Sequence, residues 1–417
     1  MAKSASSASS PSTSRPSART ASRRAASRGT PKAGPWRPGP DPTTPRSVYT
    51  ARLGAARGRV SGAGLSHTLI TNPLDVAYLT GFLGGDSYLL LPAHASEPVT
   101  IISDSRYEEE LGHFSDLLTI VIRRGSMNET VAALLKGLSI ASIGIQSEHA
   151  TLALSAALGK LLGRATKLVP TQGLIAPLRE IKDEHEVRLI RRAVKIQEAA
   201  LLETLPAIRL AMKRKTAMTE ADVAARLEME MKVRGSSQPG FESIIAAQAN
   251  GSLPHYRPSA KVKLKAGWPL LIDWGAIFQG YHSDMTRTFT LGTWSPKMRE
   301  IYTIVREAFL AAASVAGPGK TTRDVDAAAR EVIKAAGYGE RFGHGTGHGI
   351  GFNAHEAPSV SHMAAPTALR PGMIITIEPG IYLPGVGGVR IEDDFLITPK
   401  GCENLCSLPT DLSWATL

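Results

Sequence analysis

Four acidic residues stand at or inside apolar, strand-like runs in the second half of the chain, and they restrict the fold more than any other feature. Asp273 closes the run LLID, Asp284 lies in GYHSDMTRTFTL, Glu378 closes MIITIE and Glu392 lies in GVRIEDDFLIT. An ionised carboxylate is costly to bury unless it is paired or bound to a cation. Any one such acid reads equally as a strand-end cap or surface residue, but four of them on neighbouring strands can converge on a shared cation. Gly275 and Gly280 mark a turn between the first two acids, and Gly385, Gly387 and Gly388 mark one ahead of the last. Each pair can then sit on adjacent antiparallel strands. Arg390 stands two positions before Glu392, so the alternation predicts that the two share a face of one strand.

Histidines gather in the same region. Six of the eleven, His255, His282, His344, His348, His355 and His362, fall between 255 and 362. A lone histidine is usually an ordinary core or surface residue; six among strand-borne carboxylates suggest a site. Within GHGTGHGIGFNAHEAP, glycine occupies every second position from 343 to 351. Removing those side chains allows His344 and His348 to approach a neighbouring strand or ligand closely. The stretch is not a dinucleotide fingerprint, because no strand-to-helix turn surrounds it. AGPGKTT at 316–322 is not a Walker loop, because Ser314 replaces the required first glycine.

Four carboxylates with at least one imidazole form a hard, oxygen-rich ligand set that favours Mn²⁺, with Co²⁺, Fe²⁺ or Zn²⁺ as alternatives. Their four negative charges match two divalent ions, whereas one ion would leave a surplus of negative charge in a dry pocket. Two such ions roughly 3.5–4 Å apart can hold and activate a water between them. The two cysteines, Cys402 and Cys406, exclude a disulfide scaffold or a cysteine-built metal site and read as ordinary thiols.

The remaining organisation is that of two folded domains behind a tail. Residues 1–49 are rich in Ser, Ala, Arg and Pro, hold no Leu, Ile or Phe, and carry most of the chain's net +11 charge. They read as a disordered basic tail, or as an organellar transit peptide. The nearly balanced remainder gives no reason to expect nucleic-acid binding, and no apolar run is long enough for a membrane span. Residues 50–173 alternate strand-like HTLIT, SYLLL, VTIIS and LTIVIR with helical ETVAALLKGL and ALSAALGKLLG, an α/β pattern. From 174 to 417, helices capped by Asp183, Thr219 and Thr321 alternate with the acid-bearing strands, an α+β domain.

The strings DWG, SDMTRT, GHGTGH, HEAP, IEPG and VRIED resemble the pita-bread metallopeptidases, in particular the Xaa-Pro aminopeptidase and prolidase branch. NPLDVAYLTGF and IISDSRYEEE are similar to that family's creatinase-like N-terminal domain, and LREIKDEHEVRLIRRAV to the opening of its catalytic domain. The resemblance implies metal ligands Asp273, Asp284, His348, Glu378 and Glu392, with Asp284 and Glu392 shared between two ions. It further implies catalytic roles for His255, His344, His355, Glu378 and Arg390. His282 departs from the family pattern, where a small residue is commoner, and reads as a surface histidine.

The implied activity is hydrolysis of the bond between an N-terminal residue and a following proline. An aminopeptidase is the first expectation and an Xaa-Pro dipeptidase the alternative. The dipeptidase needs a cation for the substrate's free carboxylate, which the sequence does not locate. A metal-free creatinase-like hydrolase or binding module is a remote third reading, since all five ligand positions are filled. The expected partners are peptides with proline in the second position, with neither nucleic acid nor membrane. A homodimer or higher homo-oligomer is expected, in the cytoplasm, or in an organelle if the tail is a transit peptide.

Overall fold

The computed structural model describes residues 44–417; positions 1–43 of the predicted tail lie outside the described residues. The chain begins α1 (Arg46–Gly62), β1 (His67–Ile70), α2 (Pro73–Thr80), β2 (Tyr88–Pro92), β3 (Thr100–Asp104), α3 (Glu108–Gly112) and β4 (Thr119–Arg123). It continues α4 (Met127–Gly137), β5 (Ser142–Gln146), α5 (Leu152–Leu162) and β6 (Lys167–Thr171). Helix α1 opens inside the stretch read as tail. Tyr49 and Leu53 on this helix are buried, and Gly81 leaves room for the Tyr49 ring.

The six strands form one mixed sheet in the order β4-β3-β2-β1-β5-β6, parallel at both edges and antiparallel across β1, β2 and β3. Leu69, Leu90, Ile102 and Ile143 on one face pack against Val131, Leu135 and Leu158 of α4 and α5. Ile70, Leu89, Leu91 and Ile101 on the other face belong to a core shared with α1, α2 and the following domain. The two halves are therefore packed together as one unit.

A short α6 (Ala176–Arg179) leads to α7 (Glu184–Arg214), whose capping box pairs Asp183 with Glu186. Next come α8 (Glu220–Val233), capped by Thr219 and Asp222, and β7 (Ile244–Ala247) to β8 (Pro269–Trp274). Then follow β9 (Ile277–Phe278), β10 (Tyr281–His282), β11 (Met285–Thr290), α9 (Pro296–Val315) and α10 (Thr322–Ala335), the last capped by Thr321 and Asp324. The final strands are β12 (Gly347–Gly349), β13 (Glu356–Val360), β14 (Ile374–Ile377), β15 (Gly380–Leu383), β16 (Gly387–Arg390), β17 (Asp393–Thr398) and β18 (Gly401–Asn404). They build sheets β11-β8-β7 and β13-β12-β14-β17-β18, with the hairpins β9/β10 and β15/β16. This is an α/β domain followed by an α+β domain, as the sequence predicts.

Three runs that read as continuous strands are broken, and each break carries a carboxylate. GYHSDMTRTFTL divides before β11, placing Asp284 in the gap. GMIITIEPGIYL divides at Glu378-Pro379, where proline has no N–H for the ladder. GVRIEDDFLIT divides at Ile391-Glu392, and the Glu392 amide donates to the Thr286 carbonyl at 3.1 Å. At each break the chain passes from one small sheet to another. Arg390 and Glu392 consequently belong to no common strand, yet both side chains meet the Thr286 hydroxyl, so they face the same side as the alternation predicts.

Candidate metal centre

Asp273 lies on central strand β8, opposite Ile244 on one side and Thr286 on the other, so its backbone is fixed from both sides. Its Oδ2 accepts from Arg390 Nη2 at 2.5 Å, while its buried Oδ1 has no hydrogen-bond partner. Asp284 is buried, its amide donates to Asp394 Oδ2 at 3.1 Å, and its Oδ1 is likewise without a partner. Glu392 accepts from the Thr286 hydroxyl at 2.6 Å. The Glu378 amide donates to the Thr346 carbonyl at 2.7 Å, which ties the Glu378 break to the glycine-rich stretch.

Strand β12 brings the imidazole. Cβ atoms at Gly347 and Gly349 would lie 2.0 Å from the Thr376 carbonyl oxygen and 2.2 Å from that of Ala357. Glycine on both sides of His348 therefore admits the close approach that the alternating pattern predicts. His348 Nδ1 lies 3.1 Å from the Gly349 carbonyl, which can only accept, so Nδ1 carries the hydrogen. Nε2 is then a bare lone pair, 3.6 Å from Glu378 Oε1 and 3.8 Å from Asp284 Oδ2. Burial, followed by the neighbouring His355, pushes its pKa down to about 3, so the ring is neutral.

A lone pair facing carboxylates, with two orphaned carboxylate oxygens nearby, is an unfavourable arrangement unless a cation lies between them. One ligand atom each from Asp284, His348 and Glu392 lies within 4.8 Å of the others. Burial and then the neighbouring acids push Asp284 and Glu392 well above the ordinary carboxylate range. Burial raises Glu378 to about 8, with Arg390 opposing and Asp273 adding to the rise. The oxygen-rich set with one neutral imidazole suits a hard or borderline divalent ion. The residues fit the group that the sequence implies.

The nine residues to which the resemblance gives site roles line one cavity: His255, Asp273, Asp284, His344, His348, His355, Glu378, Arg390 and Glu392; His282 and His362 are not on its lining. Their surroundings differ. The His355 ring meets that of His348 edge-on, with centroids 4.0 Å apart. Both nitrogens of His344 are engaged: Nδ1 with the Gly345 carbonyl at 2.7 Å and Nε2 with the Tyr382 hydroxyl at 2.8 Å. Arg390 Nη1 donates to that hydroxyl at 2.8 Å, so Tyr382 passes its own hydrogen to His344. Asp273, Arg390, Tyr382 and His344 thus form one chain of hydrogen bonds. Burial, followed by the Arg390 charge, lowers His344 to about 4.

Several supporting residues carried no sequence signal. Tyr382 reads as an ordinary strand aromatic, and Thr286 as strand filler. Asp326 and Arg330 on α10 form a two-point ion pair that holds the histidine stretch from behind. Asp326 Oδ1 accepts from the Thr346 amide and hydroxyl at 3.1 and 2.9 Å, and Arg330 donates to the Phe342 and His344 carbonyls. His282, read as a surface residue, is buried; its Nδ1 and backbone N–H both meet the Gly351 carbonyl. That contact anchors the bend between His348 and His355. Cys402 and Cys406 are free thiols, as read.

Both parts of the chain are similar to known proteins. Residues 188–399 match Metallopeptidase family M24, and residues 52–181 match the Creatinase/Prolidase N-terminal domain. An uncharacterized peptidase of Bacillus subtilis is 34% identical over 87% of this chain and 99% of its own length. An Xaa-Pro dipeptidase of Pyrococcus horikoshii is 43% identical over 57% of this chain and 66% of its own. Among solved structures, an Xaa-Pro dipeptidase from Bacillus anthracis superposes with a TM-score of 0.82 at 35% identity, covering 88% of this chain and all of that one. An X-Pro aminopeptidase from Thermotoga maritima gives 0.76 at 33% identity, covering 84% of this chain and 97% of that one.

Proposed function

Since the chain belongs to metallopeptidase family M24, we propose that it is an Xaa-Pro dipeptidase, hydrolysing the bond between an N-terminal residue and a C-terminal proline. The carrying observation is the convergence of Asp273, Asp284, His348, Glu378 and Glu392 on one cavity, with Asp273 Oδ1 and Asp284 Oδ1 left unpartnered. The aminopeptidase reading uses the same five residues. Dipeptidase names among the similar proteins, together with a cation on the cavity wall, favour the shorter substrate.

These five side chains would hold two divalent ions, Mn²⁺ being the best match to the donors. When bound, such ions polarise a carbonyl and bring the pKa of water near neutrality. The protein's own groups supply the rest. Glu378 takes a proton from the attacking water as its oxygen bonds to the scissile carbon. It delivers that proton to the proline nitrogen as the C–N bond breaks. His255 and His355, exposed to the cavity, donate hydrogen bonds to the substrate carbonyl and the tetrahedral oxyanion. Arg390 holds Asp273 in place and, through Tyr382, steadies His344.

Hydrolysis of Ala-Pro by purified protein with added Mn²⁺ tests the proposal. Release of proline, abolished by a chelator, is expected; no release with any divalent ion would overturn it. Among the described residues no helix is long and apolar enough to cross a membrane.

A further inference from the structure

Two arginines line the cavity, and their charges are committed differently. Arg390 is buried, and its nitrogens are taken by Thr286, Tyr382 and Asp273. Arg257 stands two residues after His255 with its side chain 83% exposed. Its ion pair among the described residues runs from Nε to Glu242 at 3.1 Å, and Glu242 lines the same cavity. A guanidinium engaged through Nε retains its Nη edge, which can meet a carboxylate in a fork.

The segment carrying Arg257 is anchored. The Tyr256 hydroxyl donates to Glu220 Oε2 at 2.9 Å and accepts from Asn250. Glu220 is fully buried and also accepts the backbone amides of Ala247 and Ser259. The Tyr256 ring packs on Ile244, Ala246 and Leu271. With Tyr256 pinned, His255 and Arg257 flank it on the cavity wall.

Building on the Xaa-Pro reading above, we propose that Arg257 binds the free carboxylate of the substrate's proline, with Glu242 as its counter-ion in the empty site. The cavity, about 580 Å³, lies in the ordinary range for small-ligand sites and would admit more than a dipeptide. Selection for a two-residue substrate must then come from charge. A dipeptide places a carboxylate directly on the proline, whereas an amide or a longer peptide places an uncharged group there. Phe241, Ile244 and Met363 on the same lining give the pyrrolidine ring an apolar surface. Arg257 is thus a specificity-determining residue, and the substrates are free dipeptides ending in proline.

The test compares Ala-Pro, Ala-Pro amide and Ala-Pro-Ala with the Mn²⁺-loaded full chain and its variants R257A, R257K and E242Q. R257A is expected to lose about tenfold or more in kcat/KM on Ala-Pro, chiefly through KM, as for a lost charge-assisted hydrogen bond. That loss should be confined to the substrate with its carboxylate on proline. R257K should recover part of it, and E242Q should lower KM for Ala-Pro by freeing the guanidinium. Equal losses on Ala-Pro and its amide would overturn the assignment. Binding of proline and prolinamide, measured by calorimetry, judges Arg257 even without turnover. Proline binding weakened by R257A with prolinamide unaffected supports the proposal, and equal effects on both refute it. Wild-type protein inactive on all three peptides would instead refute the Xaa-Pro reading.

Discussion

Arg179 and Glu356, 177 positions apart, form a buried ion pair of 2.5 Å that joins the segment between the domains to the residue immediately after His355. Arg179 also reaches Asp75 of the N-terminal domain at 2.9 Å, and Gln146 donates to the other oxygen of Asp75. Lys182, its side chain fully buried, sits 3.0 Å from Glu356 Oε1. Two carboxylates, Asp75 and Glu356, therefore balance two buried cations, and Glu356, shared by both, is the sequence neighbour of the catalytic candidate.

Glu356→Ala should leave Arg179 with Asp75 and strip the buried Lys182 of its carboxylate. Breaking a buried pair costs roughly 3–5 kcal/mol, which urea unfolding would register as a lower midpoint. The double change Glu356→Met with Lys182→Met should recover much of that loss, because two charges are removed together. An undiminished midpoint in the Glu356→Ala variant would show that the cluster contributes little.

Metal analysis should separate ligands from helpers. Asp284→Ala and His348→Ala should lose metal and activity together, since each removes a donor aimed into the cluster. His355→Ala should keep its metal and lose about 10²–10³ in kcat, as for a missing hydrogen bond to a transition state. A metal-free His355→Ala alongside a fully loaded His348→Ala would reverse these roles.

Tyr382→Phe should retain metal yet lower kcat. It removes the hydroxyl between Arg390 and His344, and a buried hydrogen bond to a charged group is worth roughly 1.5–3 kcal/mol. Unchanged turnover with intact metal content would mean that the chain of hydrogen bonds does not serve the reaction.

Asp326 gives a pH-dependent prediction. Burial acts to raise its pKa, but hydrogen bonds from Arg330 and Thr346 outweigh it, and the net shift is downward from 3.8. A depressed folded-state pKa means stability that is fully present above the unfolded value and lost as pH falls through the folded one. The stability gap between wild type and Asp326→Asn should therefore narrow as pH falls below about 4. Denaturant titrations at several pH values would check this, and a gap that widens on acidification would contradict it.

The sequence reveals candidate ligands more readily than their supports. Asp273, Glu378 and His348 announce themselves because an acid among apolar residues, or a histidine between glycines, needs a local reason. Tyr382, Thr286, Asp326 and Arg330 have no such oddity, since their partners lie tens of residues away and only the folded chain supplies them. Helix caps at Asp183, Thr219 and Thr321 were legible because a capping box spans only a few positions. The strand breaks at Asp284 and Glu392 were not, because apolar alternation continues across them while the hydrogen-bonding partner changes. His282 misleads for a related reason: its acceptor, the Gly351 carbonyl, is invisible to any residue pattern.

Placing carboxylates where the chain changes sheets also has a kinetic consequence. Residues 284, 378 and 392 meet one another and Asp273 of β8 only after hairpins and crossovers spanning more than a hundred positions have closed, so their mutual repulsion peaks late in assembly. Without divalent ions, the final docking of these sheets would be the slow, uphill part of folding. With them, the same step would become a sink into which the rest of the catalytic domain drains.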